Sequence, residues 1–184
     1  MLDRELNVDD NASYSTTTDE RGIIISVSKD FEEISGYTKE ELMGKNHNIV
    51  RHPDMPKIIF KIMWEKLENN EKFVGYIKNH AKNGEYYWMA NKTYLLAKEK
   101  SGKCKYFSYK GAMSTRAKHY MTTWYAELLE EERKGGIEAS QKYMDEYLKF
   151  RGVSFNEYME TFLDGSGLLK VGFFMARKLF SSKS

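Results

Sequence analysis

The spacing of apolar residues changes twice in the first half of the chain, and each change predicts a new kind of secondary structure. Residues 1–12 are polar and show no period, so we expect a flexible N-terminus. Two β-prone runs follow at 13–18 and 23–27, separated by a turn at 19–22. Together they predict an opening hairpin whose second, isoleucine-rich strand is buried.

Helical signals replace the strand pattern after this hairpin. Phe31 and Ile34 lie three residues apart, on one side of a helical turn. Thr38 and Glu41 have the spacing of a capping box, in which two side chains satisfy free backbone N–H groups at the start of a helix. The chain therefore predicts short helices here, interrupted at Gly36.

A longer helix is predicted to begin beside the only two prolines of the chain, Pro53 and Pro56. Proline is tolerated in the first helical turn, and Asp54 belongs to the residue types that cap helix N-termini. One face of this helix carries large apolar side chains at positions i, i+3, i+4 and i+7, namely Phe60, Met63, Trp64 and Leu67. We expect this face to contribute to a helical wall over a sheet.

The apolar period then becomes two, which is the spacing of strands. Strands are predicted at 73–80, 85–97 and 105–116, with an Asn-Gly pair at 83–84 in a hairpin turn. This order of elements is typical of an α+β fold, in which a five-stranded antiparallel sheet carries its short helices on one face. We expect this domain to span residues 13–117 and a planar ligand to fit between helices and sheet.

The rest of the chain, residues 118–184, is predicted to be a helical region for signalling or docking. A Gly-Gly pair at 135–136 interrupts its first helix, and Ser154 with Glu157 forms a second capping box. The segment 165–184 has four basic and no acidic residues beside several phenylalanines. It suits either a peripheral helix that touches anionic lipid or a helix that docks on a partner.

The composition is that of an ordinary soluble protein, with 41% hydrophobic and 30% charged residues. Aromatic residues, at 14%, suit a well-filled core that encloses a planar ligand. The formal net charge of +2 predicts no strong polyanion partner. The lysines of the strand-rich half, Lys110 among them, are expected on a solvated outer face, and no stacking motif accompanies them, so nucleic-acid binding is not expected.

Cysteine content and hydropathy both point to the cytoplasm. Cys104 is the only cysteine, so an internal disulfide is excluded and a reducing compartment is the simplest interpretation. The polar start predicts no secretory signal, and no apolar run approaches the roughly 18 residues of a membrane-spanning helix. We therefore expect a cytoplasmic protein that reaches a membrane only through a partner.

Both prolines fall within the segment 47–56, which is therefore predicted to be rigid, since proline restricts its own φ and the residue before it. The segment holds Arg51, His52 and Asp54, groups that bind anions and polar rings, and is a candidate ligand clamp. Each residue also has a structural interpretation. Arg51 suits a salt bridge to Asp54, His52 suits a helix cap as well as a haem ligand, and Asp54 suits an N-cap better than a ligand contact.

Two aromatic and two amide side chains extend the candidate site. Phe60 and Trp64 lie four apart on one helical face, where they suit either packing on a ring system or an ordinary core. Asn79 and Asn91 fall on predicted strands, in which asparagine is disfavoured. Two explanations suit an asparagine in such a strand: its side chain binds the pyrimidine edge of a ring, or the residue lies on an edge strand.

Two runs of the sequence carry a family resemblance. The residues SGYT at 35–38 and EEL at 40–42 resemble a PAS domain. The run RHPDMP at 51–56 narrows the resemblance to the FAD-binding PAS domain of aerotaxis receptors of the Aer type. The similarity covers roughly residues 13–117, and the layout resembles the stand-alone PAS proteins of split energy-taxis systems (CetB-like).

The resemblance implies that FAD contacts or supporting roles belong to Arg51, His52, Asp54, Phe60 and Trp64. Where the family often has asparagine after the second strand, this chain has a serine, whose hydroxyl replaces one amide hydrogen bond but not a bidentate pair. That residue is Ser28, and we include it in the expected FAD site together with Asn79 and Asn91.

The resemblance further implies a non-enzymatic redox sensor for signal transduction. FAD bound in the PAS pocket reports redox state, oxygen or energy status to a membrane-bound chemoreceptor in aerotaxis or energy taxis. Cys104 lies at a predicted hairpin rather than on a helix, so the covalent photochemistry of light-sensing flavin domains is not expected. Two alternatives are a haem-based gas sensor with His52 or His47 as the axial ligand, and a cofactor-free PAS module that forms homodimers.

Overall fold

A five-stranded antiparallel sheet forms the centre of the computed structural model, which describes residues 2–163. The spatial order of its strands is β2-β1-β5-β4-β3. The strands are β1 (Tyr14–Asp19), β2 (Ile24–Val27), β3 (Phe73–His80), β4 (Tyr86–Lys98) and β5 (Cys104–Gly111). The predicted α+β architecture is thereby confirmed.

Short helices connect β2 to β3, and a long helical region follows β5. The connecting elements are α1 (Lys29–Ser35), α2 (Lys39–Leu42), a 3-10 turn (His47–Val50) and α3 (Lys57–Glu68). The C-terminal elements are α4 (Thr115–Arg151) and α5 (Phe155–Glu160). α4 is kinked where the sequence predicts an interruption, because Gly135 and Gly136 have non-helical dihedrals and Gly136 has a φ of 72°.

Both predicted capping boxes are present. At α2 the Glu41 N–H donates to Thr38 Oγ1 at 3.3 Å, and the Thr38 N–H donates to Glu41 Oε2 at 3.0 Å. Ser154 and Glu157 make the same reciprocal pair at α5. These helix starts follow from local sequence because each cap needs only residues three positions apart.

The start of α3 differs from the prediction. Asp54 does not cap this helix, because the N-cap position is Pro56, whose backbone is extended and whose side chain has no hydrogen-bonding atom. The free Ile58 N–H donates instead to Glu132 Oε1, at 2.9 Å, from α4. A residue 74 positions away along the chain thus supplies the cap.

Two strand predictions also need correction. β5 ends at Gly111 rather than at residue 116, because Ser114 Oγ accepts the Ala117 N–H and starts α4. In β2 only Ile24 is buried, whereas Ile25 and Ser26 are both exposed at the edge of the sheet, where β2 has a neighbouring strand on one side alone.

The N-terminal segment lies along the sheet where the sequence predicts a flexible tail. The Leu6 N–H donates to the Tyr86 carbonyl at 2.7 Å, and the Tyr86 N–H donates to the Arg4 carbonyl at 3.0 Å. Arg4 also pairs with the buried carboxylate of Glu85. Backbone hydrogen bonds to β4 and an ion pair hold this segment in place. These contacts join residues that are far apart in the chain, so the spacing of apolar residues does not predict them.

The C-terminal helices cover the sheet face opposite to α1, α2 and α3. Tyr125 Oη donates to the Tyr76 carbonyl at 2.8 Å, and the Trp88 and Tyr125 rings lie 5.9 Å apart. Beyond the kink the helix returns on itself, so that Trp124 packs against Tyr147 at 5.2 Å. The sheet is therefore enclosed between two helical layers.

Among residues 2–163, no helix combines the length and apolarity needed to cross a bilayer. The basic segment 165–184, for which the sequence suggests a lipid or partner contact, lies outside the described residues.

Candidate functional site

A cavity of about 590 Å³ lies between the inner face of the sheet and the helices that connect β2 to β3. Its helical wall consists of the face predicted from sequence spacing, namely Phe60, Met63, Trp64 and Leu67 of α3. Its floor consists of alternate side chains of β1, β3, β4 and β5, because successive residues of a strand point to opposite faces. This volume falls within the range of small-molecule and cofactor sites.

One end of the space between helices and sheet is filled, and this filling bounds the cavity. The cluster comprises the buried residues Tyr14, Ile24, Phe31, Leu42, Val50, Ala81, Tyr87 and Met89. The opposite end opens to solvent through the exposed lining residues Glu20, Arg21, Asn46, Asn48 and Glu68. The cavity is therefore apolar on its helical wall and charged at its opening.

The floor contains a closed cycle of three side-chain hydrogen bonds. Asn91 Nδ2 donates to Thr93 Oγ1 at 3.0 Å, and Thr93 Oγ1 donates to Ser108 Oγ at 3.0 Å. Ser108 Oγ donates to Asn91 Oδ1 at 2.5 Å. The cycle fixes the orientation of the Asn91 amide and leaves one of its two N–H donors free for a ligand.

Asn79 presents an unused donor to the same cavity. Asn79 is 2% exposed, and its Nδ2 atom has no hydrogen-bond partner among the described residues. A buried polar group without a partner costs on the order of 1–3 kcal/mol, so a ligand acceptor at this place would recover that free energy. Asn79 of β3 and Asn91 of β4 line the same cavity from adjacent strands, but they are not opposite each other, because Asn91 pairs with Gly75 and Asn79 with Tyr87.

Arg51 lines the cavity beside the helical wall. Its guanidinium lies 4.5 Å from the centre of the Phe60 ring and donates to the Met55 carbonyl at 2.9 Å. Burial lowers the pKa of Arg51, and the negative charge of Glu132 opposes that shift. The salt bridge to Asp54 suggested by the sequence is absent, because the Asp54 carboxylate pairs with Lys78 at 2.8 Å.

His52 and Asp54 lie behind the cavity and are not among its lining residues. The His52 ring packs edge-on against Tyr86, and its Nδ1 accepts the Asp54 N–H at 3.1 Å. Burial and then the charge of Lys78 lower the pKa of His52, which keeps this imidazole neutral. The two side chains brace the loop that presents Arg51.

Ser28 is likewise outside the cavity lining. Its hydroxyl caps α1 by accepting the Phe31 N–H, and it also accepts the Ser15 N–H at 2.9 Å. The hydroxyl is therefore used in joining β1 to the start of α1.

Lys110 lies inside the cavity and not on the solvated face that its residue type suggested. It is 4% exposed, its Nζ donates to Thr16 Oγ1 at 2.7 Å, and it lies 5.0 Å from the centre of the Phe31 ring. Burial lowers its pKa to about 7. The signal that places it is strand alternation, since Ser108 and Tyr106, two and four positions earlier, also line the cavity.

His47 lines the cavity next to Lys110. Its Nε2 lies 3.3 Å from Thr16 Oγ1. Burial and then the positive charge of Lys110 lower the pKa of His47 to about 3, so the imidazole is neutral. Of the two histidines proposed as haem ligands, only this one reaches the cavity.

The part of the chain that contains most of the sheet and the connecting helices is similar to known proteins. Residues 24–108 match the model described as the PAS fold. Over 90 residues, 49% of this chain and 18% of the relative, it is 41% identical to the aerotaxis receptor of Escherichia coli K12. Over 76 residues, 41% of this chain and 11% of the relative, it is 26% identical to the bacterioopsin transcriptional activator of Halobacterium salinarum. The chain thus spans less than a fifth of either relative.

Solved structures share the fold. A light-oxygen-voltage domain studied with a flavin analogue has a TM-score of 0.53 at 20% identity, over 62% of this chain and 88% of that chain. The corresponding domain of a blue-light activated histidine kinase from Erythrobacter litoralis has a TM-score of 0.50 at 18% identity, over 55% of this chain and 96% of that chain. At these identities the likeness concerns the fold alone.

Proposed function

We propose, on the premise that residues 24–108 form a PAS domain of the aerotaxis-receptor type, that the cavity binds FAD and that the protein is a redox sensor. The observation that carries the proposal is the unpartnered, buried amide of Asn79 facing a cavity with an aromatic wall. A planar ring system with carbonyl acceptors at one edge is complementary to these groups.

The lining residues divide into groups that hold the ring and groups that hold its substituents. Asn79 and Asn91 offer amide donors to polar atoms of the ligand at two places along the floor, while Phe60 and Trp64 offer apolar faces to the ring. The guanidinium of Arg51 suits a carbonyl or a phosphate, because it carries several donors in a fixed planar arrangement. When bound, FAD supplies reversible electron acceptance, and the chain supplies orientation and exclusion of water.

His52, Asp54 and Ser28 have indirect roles in this proposal. His52 and Asp54 hold the loop on which Arg51 stands, through Lys78 and Tyr86. Ser28 holds the start of α1. Their substitution is expected to weaken FAD binding only as far as it moves these elements.

The sensor is proposed to signal in the cytoplasm, without enzymatic activity, to a chemotaxis protein such as a membrane-bound transducer. The support for a signalling route is the contact of Glu132 in α4 with the first turn of α3, whose face walls the cavity. A shift of α3 on reduction of the cofactor would change this contact and bias the position of the C-terminal helices.

The test combines an absorption spectrum with one isosteric variant. Asn79→Leu keeps the approximate side-chain size and removes the amide, so FAD affinity is expected to fall at least tenfold, about 1.4 kcal/mol. The same change removes an unpartnered buried donor, so the ligand-free variant is expected to unfold at an equal or higher denaturant concentration. Affinity is measured by flavin fluorescence titration, and stability by urea unfolding.

Arg51→Ala and Trp64→Ala are expected to fold and to lose FAD, whereas Asn69→Ala, at the exposed end of α3, serves as a control with unchanged affinity. Wild-type protein that stays colourless after incubation with excess FAD would refute the proposal. Unchanged affinity of Asn79→Leu would remove this residue from the site.

Haem is a second candidate cofactor because the neutral imidazole of His47 faces the cavity. Imidazole is a common axial ligand of haem iron. The same spectrum separates the two, since flavin gives paired blue and near-ultraviolet bands and haem gives an intense Soret band. His47→Gln is expected to abolish the Soret band if haem is the ligand and to leave a flavin spectrum in place.

A further inference from the structure

Among the described residues, Lys110 provides the one lysine amine inside the cavity, and no carboxylate pairs with it. Its contacts are a neutral hydroxyl, that of Thr16, and the face of the Phe31 ring. A buried charge is normally paired, because removing it from water is costly. An unpaired buried cation that faces a cavity therefore suggests that the missing negative charge belongs to the ligand.

The groups around Lys110 leave this deficit uncompensated. Across the strands it is paired with Tyr14 of β1 and Asn91 of β4, and His47 faces it from the 3-10 turn. None of the three is an anion at neutral pH, since burial raises the pKa of Tyr14 and His47 is neutral. The lining carboxylates, Glu20 and Glu68, are exposed at the opening of the cavity, where Arg21 also lies.

Arg51, the other cationic side chain of the interior, is already engaged. It donates to the Met55 carbonyl, lies over Phe60 and is influenced by the carboxylate of Glu132. Lys110 differs because it has no such carboxylate.

We propose, resting on the proposed FAD site, that Lys110 is the counter-charge for the negative charge that the bound ring gains on reduction, so that it favours the reduced form and takes up a proton as that form appears. An external two-electron donor, such as a reduced nicotinamide or a quinol, supplies the electrons. Two electrons and one proton entering the ring leave it with one negative charge. A second proton from solvent converts neutral Nζ to the ammonium.

The proton uptake depends on a group that is partly neutral before reduction. Burial brings the pKa of Lys110 to about 7, so both protonation states are populated near neutral pH. A negative charge beside Nζ raises this pKa, because an opposite charge stabilises the ammonium. Reduction potential and pH are thereby linked through a residue that does not donate electrons.

The test is a comparison of reduction potentials in FAD-loaded protein. Lys110→Met is expected to lower the preference for reduced over oxidised flavin at least tenfold at pH 7, which corresponds to about 30 mV for a two-electron couple. Potentials are measured by anaerobic titration with a reference dye between pH 6 and 9. The control is Lys92→Met, the same change at a partly buried lysine of β4. Lys92 lies on the face of the sheet that is turned away from the cavity, so this change is expected to leave the potential unchanged.

Lys110→Arg separates charge from titration. Arginine keeps the positive charge but does not lose its proton in this range, so the potential below pH 7 is expected to be retained. Above pH 7 the wild-type potential is expected to fall more steeply with pH than that of Lys110→Arg, by up to tenfold in the equilibrium constant per pH unit, about 30 mV.

Equal potentials and equal pH slopes in wild type, Lys110→Met and Lys110→Arg would overturn the inference while leaving FAD binding intact. Failure of the wild-type protein to take up FAD would instead overturn the proposed function. If Lys110→Met does not fold, the pH slope of Lys110→Arg decides the inference by itself.

Discussion

At the scale of single residues, partners rather than residue type determine the chemistry of this cavity. Asn79 and Asn91 are the same residue on neighbouring strands, yet Asn91 is held in a hydrogen-bonded cycle and Asn79 Nδ2 is without a partner. Lys78 and Lys110 are both lysines of the sheet, yet one pairs with Asp54 and the other is buried without a carboxylate. The partners of Asn91 are side chains of β4 and β5, whereas the partner of Lys78 comes from the loop before α3.

His47 gives a prediction about acid stability. The pKa of its imidazole is about 3 in the folded protein and about 6.5 when unfolded, so the unfolded state binds more protons between these values. His47 therefore contributes stability that is fully present above pH 6.5 and is lost as the pH falls toward 3, by up to about 1.4 kcal/mol per pH unit. His47→Gln is expected to lose less stability than wild type between pH 7 and pH 5 in urea unfolding of ligand-free protein.

Aspartate and glutamate side chains also change the unfolding free energy over this pH range. Their contribution is the same in both proteins, so it cancels when the pH dependence of His47→Gln is compared with that of wild type. Identical losses of unfolding free energy in His47→Gln and wild type would show that the imidazole is accessible to protons in the folded state.

At the scale of secondary structure, α3 is the element on which the site depends most. Its apolar face lines the cavity, and its first turn lacks a cap of its own because Pro56 precedes it. The carboxylate of Glu132 supplies that cap and is itself approached by the Ser140 hydroxyl at 3.5 Å. A negative group at a helix N-terminus also interacts favourably with the helix dipole.

Glu132→Ala is therefore expected to destabilise the protein by about 1 kcal/mol, the usual effect of losing an N-terminal cap. Glu132→Gln keeps an acceptor oxygen and is expected to lie between alanine and wild type. Urea unfolding measures both, with Glu146→Ala, an exposed position of α4, as a control within about 0.5 kcal/mol of wild type. An effect of Glu132→Ala no larger than that of the control would mean that the cap contributes nothing to stability.

At the scale of the whole molecule, the C-terminal helices are part of the folded core. They bury Tyr76 and Trp88 on the outer face of the sheet, and α5 adds a ring stack of Phe155 on Phe73 at 5.8 Å. Residues 118–163, the described part of the region predicted to signal or dock, are thus packed against the sheet, so any signal through them must alter this packing. Without these helices the outer face of the sheet would be an exposed apolar patch, and such patches promote association between molecules.

Truncation after residue 113 is expected to uncover the outer face of the sheet and to produce oligomers or aggregates. Size-exclusion chromatography and binding of a hydrophobic dye measure this, and a chain ending at residue 163 is the control, since it retains α4 and α5. A truncated protein that stays monomeric and binds no dye would show that these helices are dispensable for covering the sheet.

The sequence by itself determined the elements whose signals are local. The period-two runs placed β3 correctly, the i, i+3, i+4 spacing identified the side of α3 that lines the cavity, and capping pairs marked two helix starts. The match of residues 24–108 to the PAS fold confirms the family resemblance, and the FAD contacts that it implies for the loop around Arg51 stay a prediction. These signals are readable because they depend on residues a few positions apart.

Only the tertiary structure decided which side chains of the irregular loop face the cavity. Arg51 enters it, whereas His52 and Asp54 turn away because Tyr86 and Lys78 of the sheet hold them. A loop has no period, so its side-chain directions depend on such distant contacts. Strand alternation assigns Lys110 to the inner face of the sheet, but its burial without a carboxylate partner depends on the elements that pack over it and not on its neighbours in the chain.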